Sequence, residues 1–207
     1  MVKACLFDLD GVVFDTEPLY TLFWRNLDKK LRPNIDNFEH VIKGQTLVQI
    51  YDKYFTGEEE KQKEITTILY EYERNISFNY ITGFELFIKE LRSKGIKIAV
   101  VTSSNLAKMQ NVYNKHPEFK DYFDEILTSE DFAESKPSPD CYLKAAARFG
   151  VSPEDCVVFE DSFNGLRSGI ASGARVIGLA TTNSVAELKP YTEEIISNYD
   201  GFTLSDH

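Results

Sequence analysis

The sequence predicts an α/β fold, in which a Rossmann-like parallel sheet forms the core and carries an inserted α-helical cap domain. After residue 83, short apolar β-prone runs alternate with helix-length segments, as in right-handed βαβ crossovers. One further strand signal, Leu6-Phe7, lies near the N-terminus, and the stretch from Thr16 to about Ile81 has a helical pattern. We therefore expect the helical stretch to be inserted after the first strand of the sheet.

The first strand and the insertion have distinct patterns. Leu6-Phe7 leads into Asp8-Leu9-Asp10-Gly11, which is typical of a buried strand that ends in a functional turn. The insertion contains two apolar stripes at helical spacing, which are Leu19, Leu22, Phe23, Leu27 and Leu31, and then Ile65, Ile68, Leu69, Tyr72 and Ile76. These patterns predict a core of residues 1–15 and 81–207 and a cap of residues 16–80.

The remaining elements follow in order along the predicted core. Helices are expected over Phe84–Arg92, after Asn105, over Asp140–Phe149 and after Ser162, and strands over Ile96–Val101, Glu125–Leu127, Cys156–Phe159 and Arg175–Leu179. Three glycines recur at a spacing of four residues in the helix after Ser162, namely Gly165, Gly169 and Gly173. We expect them to let this helix pack closely against the sheet.

Composition excludes several classes of function. The 207 residues include 33 Asp and Glu against 23 Lys and Arg, a formal charge of −10, which disfavours nucleic acid and anionic membranes as partners. Cys5, Cys141 and Cys156 form no Cys-x-x-Cys pair, so neither a disulfide framework nor a zinc site is expected. No signal-peptide core and no apolar run of about 20 residues is found. A cytoplasmic monomer is expected.

Polar residues that could do chemistry follow the predicted strands. Open parallel sheets bind ligands beyond the carboxyl ends of their strands, where this sequence has Asp8 and Asp10, Thr102 and Ser103, Glu160 and Asp161, with Lys136 on a nearby loop. Four converging carboxylates repel one another unless a cation lies among them, and Mg²⁺ prefers such ligands. Asp8 and Asp10 suit two roles, one attacking phosphorus and the other transferring protons.

Each of these motifs also has a purely structural interpretation. Asp8-Leu9-Asp10-Gly11 could be an acidic turn at the end of a strand, and the hydroxyls of Thr102-Ser103-Ser104 could cap a helix. Lys136 could be a solvated lysine, and Glu160-Asp161 could begin a helix. Their shared location at one edge of the predicted sheet is what favours a site.

Together the motifs resemble a known family. Asp8-Leu9-Asp10-Gly11-Val12, the strand ending in Thr102, Lys136-Pro137 and Glu160-Asp161-Ser162 resemble the four signature motifs of the haloacid dehalogenase superfamily. Asp15-Thr16-Glu17 and the helical insertion are similar to its β-phosphoglucomutase and phosphatase branch, whose members carry a helical cap.

The resemblance implies roles for individual residues. Asp8 would be the nucleophile and Asp10 the general acid and base, while Thr102 and Lys136, with Ser103 beside them, would bind the transferred phosphoryl group. Asp161 would hold Mg²⁺ with Asp8 and the main-chain carbonyl of Asp10, and Glu160 would contact the metal directly or through a neighbour. The loop Lys43-Gly44-Gln45-Thr46 would face the site and select the substrate.

Departures from the family pattern define the expected reaction. Mutase members tend to carry a histidine where this chain has Tyr20 and an arginine where it has Leu47, and dehalogenating members lack the second aspartate, Asp10. We therefore expect a Mg²⁺-dependent phosphatase acting on a small phosphorylated metabolite, with sugar phosphates among the candidates. The alternatives are a phosphosugar mutase of the β-phosphoglucomutase type and a non-catalytic phosphate-sensing module similar to a receiver domain.

Overall fold

A single parallel sheet organises the protein. The computed structural model describes residues 1–43 and 45–205. Six strands pair in the order β3-β2-β1-β4-β5-β6, and every pairing between neighbours is parallel. The strands are β1 (Ala4–Phe7), β2 (Lys97–Val101), β3 (Glu125–Leu127), β4 (Cys156–Glu160), β5 (Arg175–Leu179) and β6 (Ile195–Ile196).

Helices account for most of the connections. They are α1 (Glu17–Asn26), α2 (Phe38–Val41), α3 (Leu47–Tyr54), α4 (Glu59–Asn75), α5 (Phe84–Ser93), α6 (Leu106–Lys115), α7 (Asp140–Phe149), α8 (Phe163–Ser172) and α9 (Val185–Leu188). Short 3₁₀ helices cover Pro117–Tyr122, Ser129–Asp131 and Pro153–Asp155. Four of the helices, α1 to α4, lie between β1 and α5, and we refer to them as the helical insertion.

Strand β1 lies at the centre of the sheet and is buried on both faces. Its side chains alternate, because Cys5 and Phe7 join one hydrophobic cluster while Ala4 and Leu6 join another on the opposite face, as the pleat of a strand requires. The chain leaves β1 toward β2 on one side and later returns to β4 on the other. This reversal is the point at which open α/β sheets form ligand sites.

The structure confirms the predicted α/β class and the parallel sheet. All five strands expected from the sequence are present, although β2 begins one residue later and β4 includes Glu160. The sixth strand, β6, was not anticipated, because two residues are too short to show a periodic pattern. None of the helices within the two described ranges is both long and apolar enough to cross a membrane.

The helical insertion has a hydrophobic cluster of its own, formed by Phe23, Trp24, Leu27, Leu31, Phe38, Ile42, Ile50, Phe55, Ile65 and Leu69. Two chain segments connect it to the rest of the protein and bond to each other. Asp15 N donates to Asn79 O and Ile81 N donates to Val13 O, both at 2.9 Å. These bonds lie at the boundaries expected from the sequence, and the division into a core and a cap stays a prediction.

The three spaced glycines of α8 have different functions. A Cβ added at Gly169 would lie 3.0 Å from side-chain carbons of both Val158 and Val176, so this glycine lets the helix pack closely on the sheet, as predicted. The prediction was wrong for Gly173, since no heavy atom lies within 4 Å of a Cβ added there. With φ at +86°, Gly173 instead ends α8 in the left-handed conformation that glycine favours.

Replacement of Gly169 by valine tests the close contact between α8 and the sheet. Because the added side chain would overlap Val158 and Val176, we expect Gly169→Val to lower the free energy of unfolding by about 1–3 kcal/mol, measured by urea denaturation. Ala171→Val is the matched control on the exposed side of the same helix and should cost less than about 1 kcal/mol. Equal losses in the two variants would contradict the packing role.

Candidate active site

The predicted site residues meet at the carboxyl end of the sheet. A cavity of about 390 Å³ separates this edge from the helical insertion. Most of the residues predicted from the core motifs line it, namely Asp8, Asp10, Thr102, Ser103, Lys136 and Asp161. Glu160 is fully buried and contacts the cavity residues from beneath. The structure therefore brings these motifs together at one edge of the sheet.

Lys136 joins the ends of three strands. Its Nζ donates to Asp8 Oδ1 at 2.6 Å, to Glu160 Oε1 at 2.6 Å and to Val101 O at 3.1 Å, which uses the three protons of an ammonium group. Burial acts to lower the pKa of Lys136, but the charges of Asp8 and Glu160 outweigh it and raise that pKa well above its usual range. Lys136 therefore stays charged in the interior.

Glu160 is fixed by a full set of donors. Besides Lys136, its carboxylate accepts from the Tyr142 hydroxyl at 2.6 Å, from Asp161 N at 3.2 Å and from Ser162 Oγ at 3.3 Å. A Cβ added at Gly165 would lie 1.9 Å from Glu160 Cδ. The first glycine of the α8 series thus clears space for this buried carboxylate, which is a more specific function than general helix packing.

Three carboxylates form a compact acidic cluster. Asp8, Glu160 and Asp161 each offer one oxygen, and these oxygens lie within 4.8 Å of one another. Ionised, they carry −3, and Lys136 contributes +1, so the net charge is −2, which one divalent cation balances. Burial raises the pKa of Asp8 to about 7, and burial, with Glu17 and Glu160 nearby, raises the pKa of Asp161 well above its usual value. An all-oxygen donor set of this charge fits Mg²⁺.

Asp161 approaches the turn after β1 because residue 11 is glycine. A Cβ added at Gly11 would lie 2.2 Å from Asp161 Oδ2, and its φ of +74° also favours glycine. Thr182 Oγ1 donates a hydrogen bond to Asp161 Oδ2, and Asn183 Nδ2 donates to Asp161 O at 2.9 Å. The turn after β5 therefore holds Asp161 against the first motif.

Asp10 has partners of its own. Thr16 Oγ1 donates to its Oδ1 at 2.6 Å, while Lys108 Nζ at 2.5 Å and Ser104 Oγ at 3.2 Å donate to its Oδ2. Sequence reasoning missed Lys108. A signal was present, because Lys108 occupies the first turn of α6, where the helix dipole disfavours a cation unless a carboxylate compensates.

The turn after β2 carries hydroxyl groups at a helix N-terminus. Thr102 is buried, and its Oγ1 accepts from Ser104 N at 3.0 Å. Asn105, rather than a hydroxyl residue, caps α6 by accepting from Lys108 N at 2.9 Å. Ser103 lines the cavity. This arrangement of hydroxyls and backbone N–H groups is suited to an anion.

Two side chains of the helical insertion bond across to the core. Lys43 Nζ donates to Thr182 O at 3.1 Å, and Gln49 Nε2 donates to Lys136 O at 3.0 Å. Lys43, Gln45 and Thr46 from the predicted selectivity loop line the cavity, and Thr46 also caps α3 in a capping box with Gln49. Gly44, the fourth predicted residue of this loop, lies outside the described residues.

Other residues that sequence reasoning missed also line the cavity. Phe23 and Trp24 pack in the hydrophobic cluster of the insertion. The Tyr20 hydroxyl instead donates to Glu73 Oε1 at 2.9 Å, and the Tyr20 ring lies 4.6 Å from Lys108 Nζ. Burial, with the charge of Asp10 nearby, raises the pKa of Glu17 to about 7. Glu17 ends the Asp15-Thr16-Glu17 motif, to which the sequence assigned no role in the site. Glu73 belongs to no recognisable pattern, since only the tertiary fold brings it to this cavity.

The fold and the acidic centre define an α/β enzyme, and comparison with known proteins gives its family. The model of haloacid dehalogenase-like hydrolases matches residues 2–173. This chain therefore belongs to the haloacid dehalogenase-like hydrolase family, which confirms the resemblance drawn from its motifs. Membership of this family identifies the protein as a hydrolase.

Individual relatives agree with this assignment. A probable pseudouridine-5'-phosphatase of Drosophila melanogaster is 28% identical over 219 residues, covering 97% of this chain and 91% of that protein. A bifunctional riboflavin kinase/FMN phosphatase of Arabidopsis thaliana is 31% identical over 118 residues, 57% of this chain, and this chain covers only 31% of its length. The crystal structure of a HAD hydrolase of family IA, variant 3, from Entamoeba histolytica superposes with a TM-score of 0.85 at 26% identity, covering 98% and 96% of the two chains.

The acidic cluster should make the stability of the metal-free protein depend on pH. Burial raises the folded pKa of Asp8 from 3.8 to about 7, so between these values the folded chain binds more protons than the unfolded chain, and stability is lost as pH rises. Asp161 and Glu17 act in the same direction. With a chelator present, we expect the melting temperature to fall between about pH 5 and about pH 8.

Two variants locate the source of this dependence. Asp8→Asn should reduce the fall in melting temperature, whereas Asp121→Asn, at an exposed position, should leave it unchanged. Mg²⁺ should raise the melting temperature more at the alkaline end of the range, because protons compete with the metal for the carboxylates. A metal-free melting temperature that rises with pH would contradict the burial argument.

Proposed function

We propose that this hydrolase is a Mg²⁺-dependent phosphatase that cleaves small phosphate monoesters through an aspartyl-phosphate on Asp8. The observation that carries the proposal is the cluster of Asp8, Glu160 and Asp161, whose excess charge of −2 beside Lys136 matches one divalent cation. The phosphatase names of its relatives support the same reaction. Phosphoryl transfer depends mainly on positioning and electrostatic stabilisation, which this cluster can supply.

The first step transfers the phosphoryl group to the protein. An oxygen of Asp8 attacks phosphorus and forms a new P–O bond, while the bond from phosphorus to the ester oxygen breaks. Asp10 gives its proton to that leaving oxygen, so the alcohol departs neutral. Lys136, with Thr102 and Ser103 in the turn after β2, would bind the phosphoryl oxygens.

The second step returns the protein to its starting state. Asp10, now a carboxylate, accepts a proton from water as the water oxygen attacks phosphorus. The bond between phosphorus and the Asp8 oxygen breaks, and inorganic phosphate leaves. Asp10 thus acts as an acid and then as a base, and Asp8 is regenerated.

The metal would be held at the acidic cluster. Side-chain oxygens of Asp8 and Asp161 and the main-chain carbonyl of Asp10 would bind it, and Glu160 would contact it directly or through a neighbour. When bound, the metal neutralises charge on the phosphoryl group and on the carboxylates around it. Gly11 supports this arrangement, because its missing side chain leaves Asp161 close to the turn after β1.

The helical insertion would act as the cap over the substrate. The hydrogen bonds that Lys43 and Gln49 donate to the core, and the one that Tyr70 accepts from Asn105, support a closed arrangement that limits the entry of water. A cavity of about 390 Å³ suits a small phosphorylated metabolite, such as a sugar phosphate. Lys43, Gln45 and Thr46 line this cavity and would contribute to substrate selection. We also expect the protein to be a cytoplasmic monomer.

The alternatives have less support. A phosphosugar mutase must retain a second phosphate, but Tyr20 and Leu47 line the cavity where mutase members tend to carry a histidine and an arginine. Tyr20 also donates to the carboxylate of Glu73, which adds negative charge to that wall. A receiver-like sensing module would have no need for the proton-transfer residue Asp10.

Removal of the nucleophile tests the proposed chemistry. Asp8→Asn should lower the rate of phosphate release from p-nitrophenyl phosphate at saturating Mg²⁺ at least about a thousandfold, because the amide cannot form the phosphoenzyme. Asp121→Asn, at an exposed aspartate, is the matched control and should keep full activity. Full activity in Asp8→Asn would exclude the assigned nucleophile, and wild-type activity unaffected by a chelator would exclude the metal.

Product analysis separates a phosphatase from a mutase. In ³¹P NMR spectra of the wild-type protein incubated with glucose 1-phosphate and Mg²⁺, we expect inorganic phosphate to accumulate, since water is the final acceptor. Accumulation of glucose 6-phosphate instead would identify a mutase.

A further inference from the structure

Lys108 is a buried cation that the reaction described above does not use. Its side chain is 8% exposed, and its Nζ lies 2.5 Å from Asp10 Oδ2. The helix dipole disfavours a cation in the first turn of α6, and burial of an ammonium costs free energy unless it is paired. The position of Lys108 is therefore explained by its contact with Asp10 rather than by the helix that carries it.

The contacts of Asp10 give its carboxylate one orientation. Thr16 binds Oδ1 at 2.6 Å, and Lys108 binds Oδ2 together with the more distant Ser104 at 3.2 Å. Without Lys108, the Ser104 hydroxyl would be the only donor to Oδ2 among the residues that the structure describes. Because proton transfer requires the donor within hydrogen-bond reach of the reacting oxygen, small rotations of this carboxylate would change the rate.

We propose that Lys108 is a positioning residue, which holds the Asp10 carboxylate in the orientation for proton transfer to the leaving oxygen. This inference rests on the proposed phosphatase function and adds a residue to its machinery. Lys108 acts through Asp10, whereas Lys136 contacts Asp8 and Glu160, so each aspartate of the first motif has its own lysine.

The helical insertion contributes to this arrangement. The ring of Tyr20 lies over Lys108 Nζ, 4.6 Å from the ring centroid, which is a cation–π contact. The Tyr20 hydroxyl is held in turn by Glu73 of α4 at 2.9 Å. Tyr20 and Glu73 both belong to the insertion, so side chains of the insertion help to hold Lys108 where it contacts Asp10.

A pair of aryl phosphates with different leaving groups tests the role of Lys108. Phenolate is more basic than p-nitrophenolate and needs a proton from Asp10 more strongly as it leaves. If Lys108 positions Asp10, Lys108→Met should lower kcat/KM for phenyl phosphate about 10- to 100-fold. The loss for p-nitrophenyl phosphate should be at least about fivefold smaller. Lys108→Arg, which keeps the cation, should recover most of the loss.

Controls separate positioning from a structural role. Lys120→Met is the matched control, because Lys120 Nζ also lies over a tyrosine ring, 4.1 Å from the centroid of Tyr113, and should leave both substrates unaffected. Lys108→Gln, which keeps a neutral polar end, is measured beside Lys108→Met in case the latter unfolds, with melting temperatures recorded for each.

The outcomes distinguish this inference from the proposed function. Equal losses for the two substrates, or no loss, in folded Lys108 variants of an active enzyme would overturn the positioning role and leave the phosphatase function intact. A wild-type protein that hydrolyses neither substrate in the presence of Mg²⁺ would overturn the proposed function, and the role of Lys108 with it.

Discussion

The contact of Lys136 with Asp8 and Glu160 is the interaction on which the site depends. It places one ammonium against carboxylates from two neighbouring strands, β1 and β4, and so ties a loop residue to the centre of the sheet. One ammonium cannot neutralise three buried carboxylates, and the remaining charge has to be met by protons or by a divalent cation. The site therefore carries a net negative charge that only bound protons or a bound divalent cation can neutralise.

Two glycines leave the space that the carboxylates of this centre occupy. Gly11 and Gly165 each occupy a position where a Cβ would overlap a carboxylate, that of Asp161 in the first case and that of Glu160 in the second. Packing density in protein interiors leaves little room for such overlap to relax. Two glycines far apart in the sequence thus set how closely the acidic groups approach the backbone. Asp10 is paired separately, with Lys108.

The sequence was sufficient to predict the sheet and the residues at its strand ends, because apolar runs and strand-end polar residues follow local rules. It was insufficient for β6 and for the cavity wall, since these depend on tertiary packing. For Lys108 it offered one signal that was missed, a cation in the first turn of α6. Glu73 lies in the last turn of an amphipathic helix, and nothing local distinguishes it from the solvated acids beside it. The role of Gly173 was predicted wrongly because equal spacing does not imply equal surroundings.

Calorimetric titration of the chelator-treated protein with Mg²⁺ near neutral pH measures the central claim most directly. We expect one ion to bind per chain with release of protons, because the metal displaces those held by the buried carboxylates. Asp161→Asn should abolish this binding, whereas Asp121→Asn should not change it. Absence of saturable binding to the wild-type chain, or binding unaffected by Asp161→Asn, would contradict a divalent cation as the partner of the acidic cluster.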